Sequence, residues 1–119
     1  MQEKSDIIPI ITEAIADKKG KKIAVADLSD FESASSRNLI ICQGNSPTQV
    51  RAIADYVRDE VREKAGIKPD NYEGYRNSQW IIIDYGNVMV HVFLPEVRQF
   101  YNLEELWNDA PITFLPDDD

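Results

Sequence analysis

A chain of 119 residues, with 43% hydrophobic and 29% charged side chains, has the balance of one globular domain large enough to bury a core without disulfide or metal staples. Its formal net charge of −8 argues against extensive contact with nucleic-acid phosphates, which requires clustered Lys and Arg, and fits a basic protein partner or solubility alone. Cys42 is the only cysteine, so no disulfide can form within the chain and a reducing compartment is expected. It follows the apolar run Leu39, Ile40, Ile41, which marks it as a packed hydrophobe. The N-terminus lacks the character of a signal or transit peptide and no apolar stretch approaches a membrane span, so no membrane partner and a cytoplasmic location are expected.

The first expected element is a helix capped by Ser5 or Asp6, with Pro9 near its first turn and a stripe of Ile7, Ile11, Ala14 and Ile15. Lys18, Lys19 and Gly20 end it. Residues 23–28 read as a strand with Ile23 and Val25 on one face and the small Ala24 and Ala26 on the other, where a helix can pack closely. A serine-rich connector, residues 29–36, leads to residues 38–43, whose continuous apolar character suits a central strand buried on both faces. Ser46, Pro47 and Gln49 form a capping box with proline at the first helical position. The helix they open buries Val50, Ile53, Ala54, Val57 and Val61 and closes at Gly66, with Pro69 preventing continuation. Residues 72–75 form a short strand. Residues 80–84 and 88–94 form an antiparallel hairpin around Gly86 and Asn87, with Val88, Val90 and Val92 alternating against Met89, His91 and Phe93. Pro95 stops the second strand, and short helices follow at 96–101 and 103–107.

This order gives an α/β (α+β) fold, a mixed sheet of about five strands with helices packed mainly on one side. Residues 1–110 make one domain, and residues 111–119, ending in Asp117, Asp118 and Asp119, make an acidic tail expected to be disordered.

Gly44 and Ser46 before a helix match the opening with which nucleotidyltransferases face a triphosphate. That chemistry also needs paired carboxylates for magnesium. Asp84 is followed by Tyr85 and Gly86 with no second acid two residues on, and the chain has no lysine-containing phosphate loop. Ser46 therefore reads as a helix cap and Asp84 as a structural acceptor. His91, the only histidine, cannot build a histidine metal cluster. It reads either as a half-buried group bonded to a carboxylate such as Asp84 across the hairpin, or as a surface residue at an interface. No catalytic, metal or cofactor site is assigned. The aromatic residues Tyr75, Trp80, Tyr85, Phe93, Phe100 and Tyr101 crowd the C-terminal half, where Trp and Tyr carry binding energy when exposed together. Phe93 and Phe100 are expected in the core. Trp80 and Tyr85 lie on opposite faces near the ends of one strand, and the pattern leaves the exposure of each open.

These residues also carry a resemblance. Glu73, Gly74 and Tyr75, the run from Trp80 through Asp84, Tyr85, Gly86 and His91 to Phe93, then Glu96, Val97, Arg98 and Tyr101 to Trp107 are similar to the central block of the Iojap-like ribosomal silencing factors. Asp27, Leu28, the run to Cys42, and Gly44, Asn45, Ser46, Gln49 and Val50 extend the likeness over nearly all of residues 7–107. Asn87 stands where the family often has aspartate. The resemblance implies a nucleotidyltransferase-like fold without catalytic carboxylates. It also implies a non-enzymatic protein that binds the large ribosomal subunit through its basic ribosomal protein fourteen. Binding there blocks joining with the small subunit and represses translation when nutrients are scarce. The partner is then a protein with little direct RNA contact, and the chain a monomer or weak homodimer. Position in the motif makes Trp80, Asp84, Tyr85, Met89 and His91, with Pro95, Arg98 and Tyr101 just after the hairpin, the expected docking residues. A degenerate nucleotide-binding protein and a general protein adaptor are the alternatives.

Overall fold

A computed structural model describes residues 7–34 and 36–117. Helix α1, Ile8–Asp17, buries Ile11, Ala14 and Ile15, with Pro9 in its first turn where a missing N–H costs no hydrogen bond. Ile7 occupies the cap position, and the expected caps Ser5 and Asp6 lie outside the described residues. Lys19, at φ 63°, takes the left-handed turn expected of Gly20. Gly20 is needed for space instead, because a Cβ there would lie 2.4 Å from Ile15 Cγ2.

Strand β1, Lys21–Asp27, leads through the connector to β2, Asn38–Gln43. Helix α2, Pro47–Ala65, begins as the sequence dictates. Ser46 Oγ accepts the Gln49 N–H at 3.1 Å, and Gln49 Oε1 reaches back to the N–H of Asn45 at 2.7 Å. All five residues of its expected stripe are buried, and Gly66, at φ 69°, donates its N–H to Arg62 O. The Gln49 amide also donates to the carbonyls of Lys18 and Lys19, tying the end of α1 to the start of α2.

Strands β3 (Asn71–Glu73), β4 (Trp80–Asp84) and β5 (Val88–Phe93) follow, then α3 (Pro95–Tyr101), α4 (Leu103–Leu106) and β6 (Ile112–Phe114). The sheet has six strands in the order β3-β4-β5-β2-β1-β6, with β2 and β5 parallel and every other pair antiparallel. The sixth strand corrects the expectation of a disordered segment from 111. Ile112, Thr113 and Phe114 pair with Ala26, Val25 and Ala24, and Asp117 accepts the Lys22 N–H at 2.8 Å. Asp118 and Asp119 lie outside the described residues.

Period-two alternation sorts the strands into two faces. Ile23, Ile40, Cys42, Ile81, Ile83, Tyr85, Val88, Val90 and Val92 share the main core with α1 and α2. Leu39, Ile41, Phe93 and Ala26 form a smaller core with Ala110, Leu103 and Trp107 on the other face. The long helices thus cover the Ile23 side of β1 rather than its alanine side. Ala26 is met by the bulky Trp107 and its neighbours.

Candidate docking surface

The second face is only partly covered, and hairpin register decides which side chains meet there. Trp80 lies opposite Phe93, Ile82 opposite His91, and Asp84 opposite Met89. Trp80 stacks on Phe93 with centroids 5.0 Å apart and meets Tyr101 of α3 at 4.6 Å, while Tyr101 packs edge-on to Phe100 at 5.1 Å. Phe100 is 81% exposed and Tyr101 51%, although burial was expected of Phe100; α3 buries no residue at all. The rings of Trp80, Phe100 and Tyr101, with Gly74, Arg76, Gln79 and Glu96, line an open groove of about 430 Å³. Gly74 permits it locally: its φ is 96°, and a Cβ would come 2.0 Å from the Trp80 carbonyl oxygen.

His91 is 6% exposed, and its Nδ1 accepts a hydrogen bond from Trp80 Nε1 at 2.9 Å. Burial holds its pKa down to about 4, so the imidazole is neutral at neutral pH. Both Trp80 and Asp84 are diagonal cross-strand neighbours of His91, and the indole N–H makes the bond, where one of the two sequence readings had a carboxylate such as Asp84. The Asp84 carboxylate instead accepts the Gly86 N–H at 2.8 Å and closes the hairpin turn. His91 therefore fixes the Trp80 indole from below.

Tyr85 is the clearest correction. It continues the Ile81, Ile83 parity onto the helix-covered face and is 0% exposed. In the free chain its side chain presents no surface to a partner. Burial raises the pKa of its phenol, whose oxygen has no hydrogen-bond partner among the described residues.

Arg98 is also engaged internally. Its Nε donates to Glu104 at 2.7 Å, and Nη1 donates to the Lys22 carbonyl at 2.6 Å and to Gln43 Oε1 at 3.2 Å. It fastens α3 to the bulged start of β1. Pro95 opens α3 and is half-buried, as are Trp80, Asp84 and Met89. Of the eight expected residues, Trp80 and Tyr101 meet in the groove, and Asp84 and Met89 share their face about 13 Å along the hairpin, four residues at the strand rise. Sequence reasoning missed Phe100 as a surface residue. The signal was the shortness of its helix, too brief to bury a full stripe.

Cys42 is buried and its thiol is pushed up to about 12, as expected of a packed hydrophobe. Ser46 is committed to its cap, and no group of three His, Cys, Asp or Glu among the described residues converges as a metal set. No described helix is long and apolar enough to cross a membrane.

Comparison with known proteins matches residues 1–119 to the family model described as ribosomal silencing factor during starvation. A ribosomal silencing factor of Bacillus subtilis is 40% identical over 115 residues, covering 97% of this chain and 95% of that protein. The chloroplastic Iojap protein of Zea mays is 41% identical over 83 residues, covering 70% of this chain and 36% of the longer plant protein. A crystal structure from Chromobacterium violaceum superposes with a TM-score of 0.84 at 36% identity, covering 95% of this chain and 92% of that one. Another from Bacillus halodurans gives 0.79 at 34% identity, covering 93% and 99%. Sequence and fold agree across the whole chain, which belongs to the RsfS family of ribosomal silencing factors.

Proposed function

We propose that this protein represses translation without catalysis, by binding the large ribosomal subunit through ribosomal protein fourteen and occupying the surface that the small subunit must meet. The observation that carries this reading is the cluster of exposed Phe100 and Tyr101 against half-buried Trp80, on a chain matched to silencing factors along its whole length. Large aromatic rings held rigidly at a groove supply contact area at low entropic cost, the usual composition of an interface hot spot. The net charge of −8 favours a basic protein partner by steering encounter and disfavouring acidic competitors.

Within this reading Trp80, Phe100 and Tyr101 form the centre of the contact, with Met89, Asp84 and Pro95 towards its rim. His91 and Arg98 hold that surface in place from beneath and beside it. A binding titration with purified large subunits tests the assignment. Phe100→Ala and Tyr101→Ala remove mostly exposed rings, so each is expected to weaken binding by about 30-fold, the effect of a 2 kcal/mol hot spot, with unchanged melting. Full affinity in both variants would move the contact off this groove.

A further inference from the structure

We propose that the lysine-rich turn between α1 and β1 contacts the phosphate backbone of ribosomal RNA lying beside the protein docking partner. The inference rests on the proposed ribosome binding and adds a second, chemically different contact to it. Four of the chain's 13 Lys and Arg residues fall within five positions, Lys18, Lys19, Lys21 and Lys22 around Gly20. In a chain of net charge −8 this is a local reversal of sign, with Asp17 next to it in sequence and Asp117 against Lys22 in space. Lys18, Lys19 and Lys22 are exposed.

Register places this turn at the docking end of the sheet. Lys21 pairs with Gln43, Gln43 with Phe93, and Phe93 with Trp80, so the turn and the indole sit at the same end of neighbouring strands. Arg98 joins them physically: it donates to the Lys22 carbonyl from the helix that also carries Phe100 and Tyr101. A body docked on the aromatic groove and extending across this end of the sheet would reach the lysines.

The backbone of the turn is left-handed at two of these lysines. Lys19 and Lys22 both adopt positive φ, 63° and 54°, a conformation that glycine or asparagine takes more readily. The contacts of Lys18 and Lys22 leave their charges available to an anion. Lys18 Nζ lies 4.7 Å above the Tyr56 ring, and Lys22 Nζ is 3.9 Å from Asp117 in a pair whose lysine side chain is 68% exposed, a contact that salt weakens. Exposed ammonium groups spread along a turn suit phosphates along a backbone rather than one small anion.

The test measures affinity for purified large subunits as a function of salt, for wild type and for the triple variant Lys18→Gln, Lys19→Gln, Lys22→Gln. Three phosphate contacts release counterions worth about 40-fold in affinity between 50 and 200 mM salt. The variant's affinity should therefore be less salt-sensitive by about that factor, while its affinity for isolated ribosomal protein fourteen is unchanged. The matching triple arginine variant should restore the wild-type slope. A control removing Arg62, Lys64 and Lys68 in the same way, at and just beyond the far end of α2, should leave the slope alone. Equal effects from control and turn variants, or an unaltered slope in the glutamine variant, would overturn the inference. So would a matching loss against the isolated protein, which would place the lysines on an acidic protein segment. Failure of wild type to bind subunits at all would instead remove the proposed ribosome binding itself.

Discussion

Truncating Tyr85 separates the core from the docking face. The ring is 0% exposed within the main core, so Tyr85→Ala removes a fully buried aromatic at about 3–5 kcal/mol. A domain of this length has a total stability of about 6–18 kcal/mol, so the variant retains a fold but melts about 10–20 °C lower. Tyr85→Phe keeps the ring and deletes only a hydroxyl without a partner among the described residues. Its stability should equal or exceed that of wild type by up to about 1 kcal/mol, since an unmade buried hydrogen bond is unfavourable. Urea denaturation followed by circular dichroism reads both variants, with large-subunit binding measured well below each melting point. Tyr85→Ala should lose stability and keep subunit affinity. Undiminished stability with lost affinity would show that the phenol faces a partner, and would refute the assignment of this strand face to the core.

Other consequences concern titration and local packing. Unfolded histidine binds a proton near pH 6.5, whereas His91 in the fold does so only near pH 4, so the unfolded state holds more protons between these values. Stability should be complete above about pH 6.5 and fall by up to about 1.4 kcal/mol per unit as pH drops towards 4; His91→Gln, which keeps an acceptor for the indole, should flatten that slope in urea titrations. Cys42, with its thiol pushed up to about 12, should resist thiol reagents at pH 8 in the native protein and react fully on unfolding, as a colorimetric thiol assay would show. Ser46→Ala should cost about 1 kcal/mol by leaving the Gln49 N–H uncapped, readable as a lower urea midpoint, and Ser46→Asp should recover most of it.

Local signals carried most of the fold. The box at Ser46 and Gln49, the left-handed Gly66 and the period-two run of β5 are each determined by residues within a few positions, and each appears in the structure where the sequence places it. What depends on distant partners was less legible. Parity puts Trp80 and Tyr85 on opposite faces, but which face the long helices cover follows from the parallel pairing of β2 with β5 across the crossover, and no local pattern states that. β6 escaped notice because three residues in an acid-rich segment carry little pattern of their own; its pairing with Ala24, Val25 and Ala26 orders it. Arg98 illustrates the limit at the candidate site. Its place in the motif marks it, yet the three acceptors that engage it come from Lys22, Gln43 and Glu104, on separate elements.

The most direct test of silencing mixes purified large and small ribosomal subunits with and without this protein, under magnesium conditions that favour joining, and sediments them through a sucrose gradient. The joined particle should disappear, with the protein travelling on the large subunit and Tyr101→Ala failing to prevent joining. Undiminished joining, with the protein left at the top of the gradient, would contradict a steric block of subunit association.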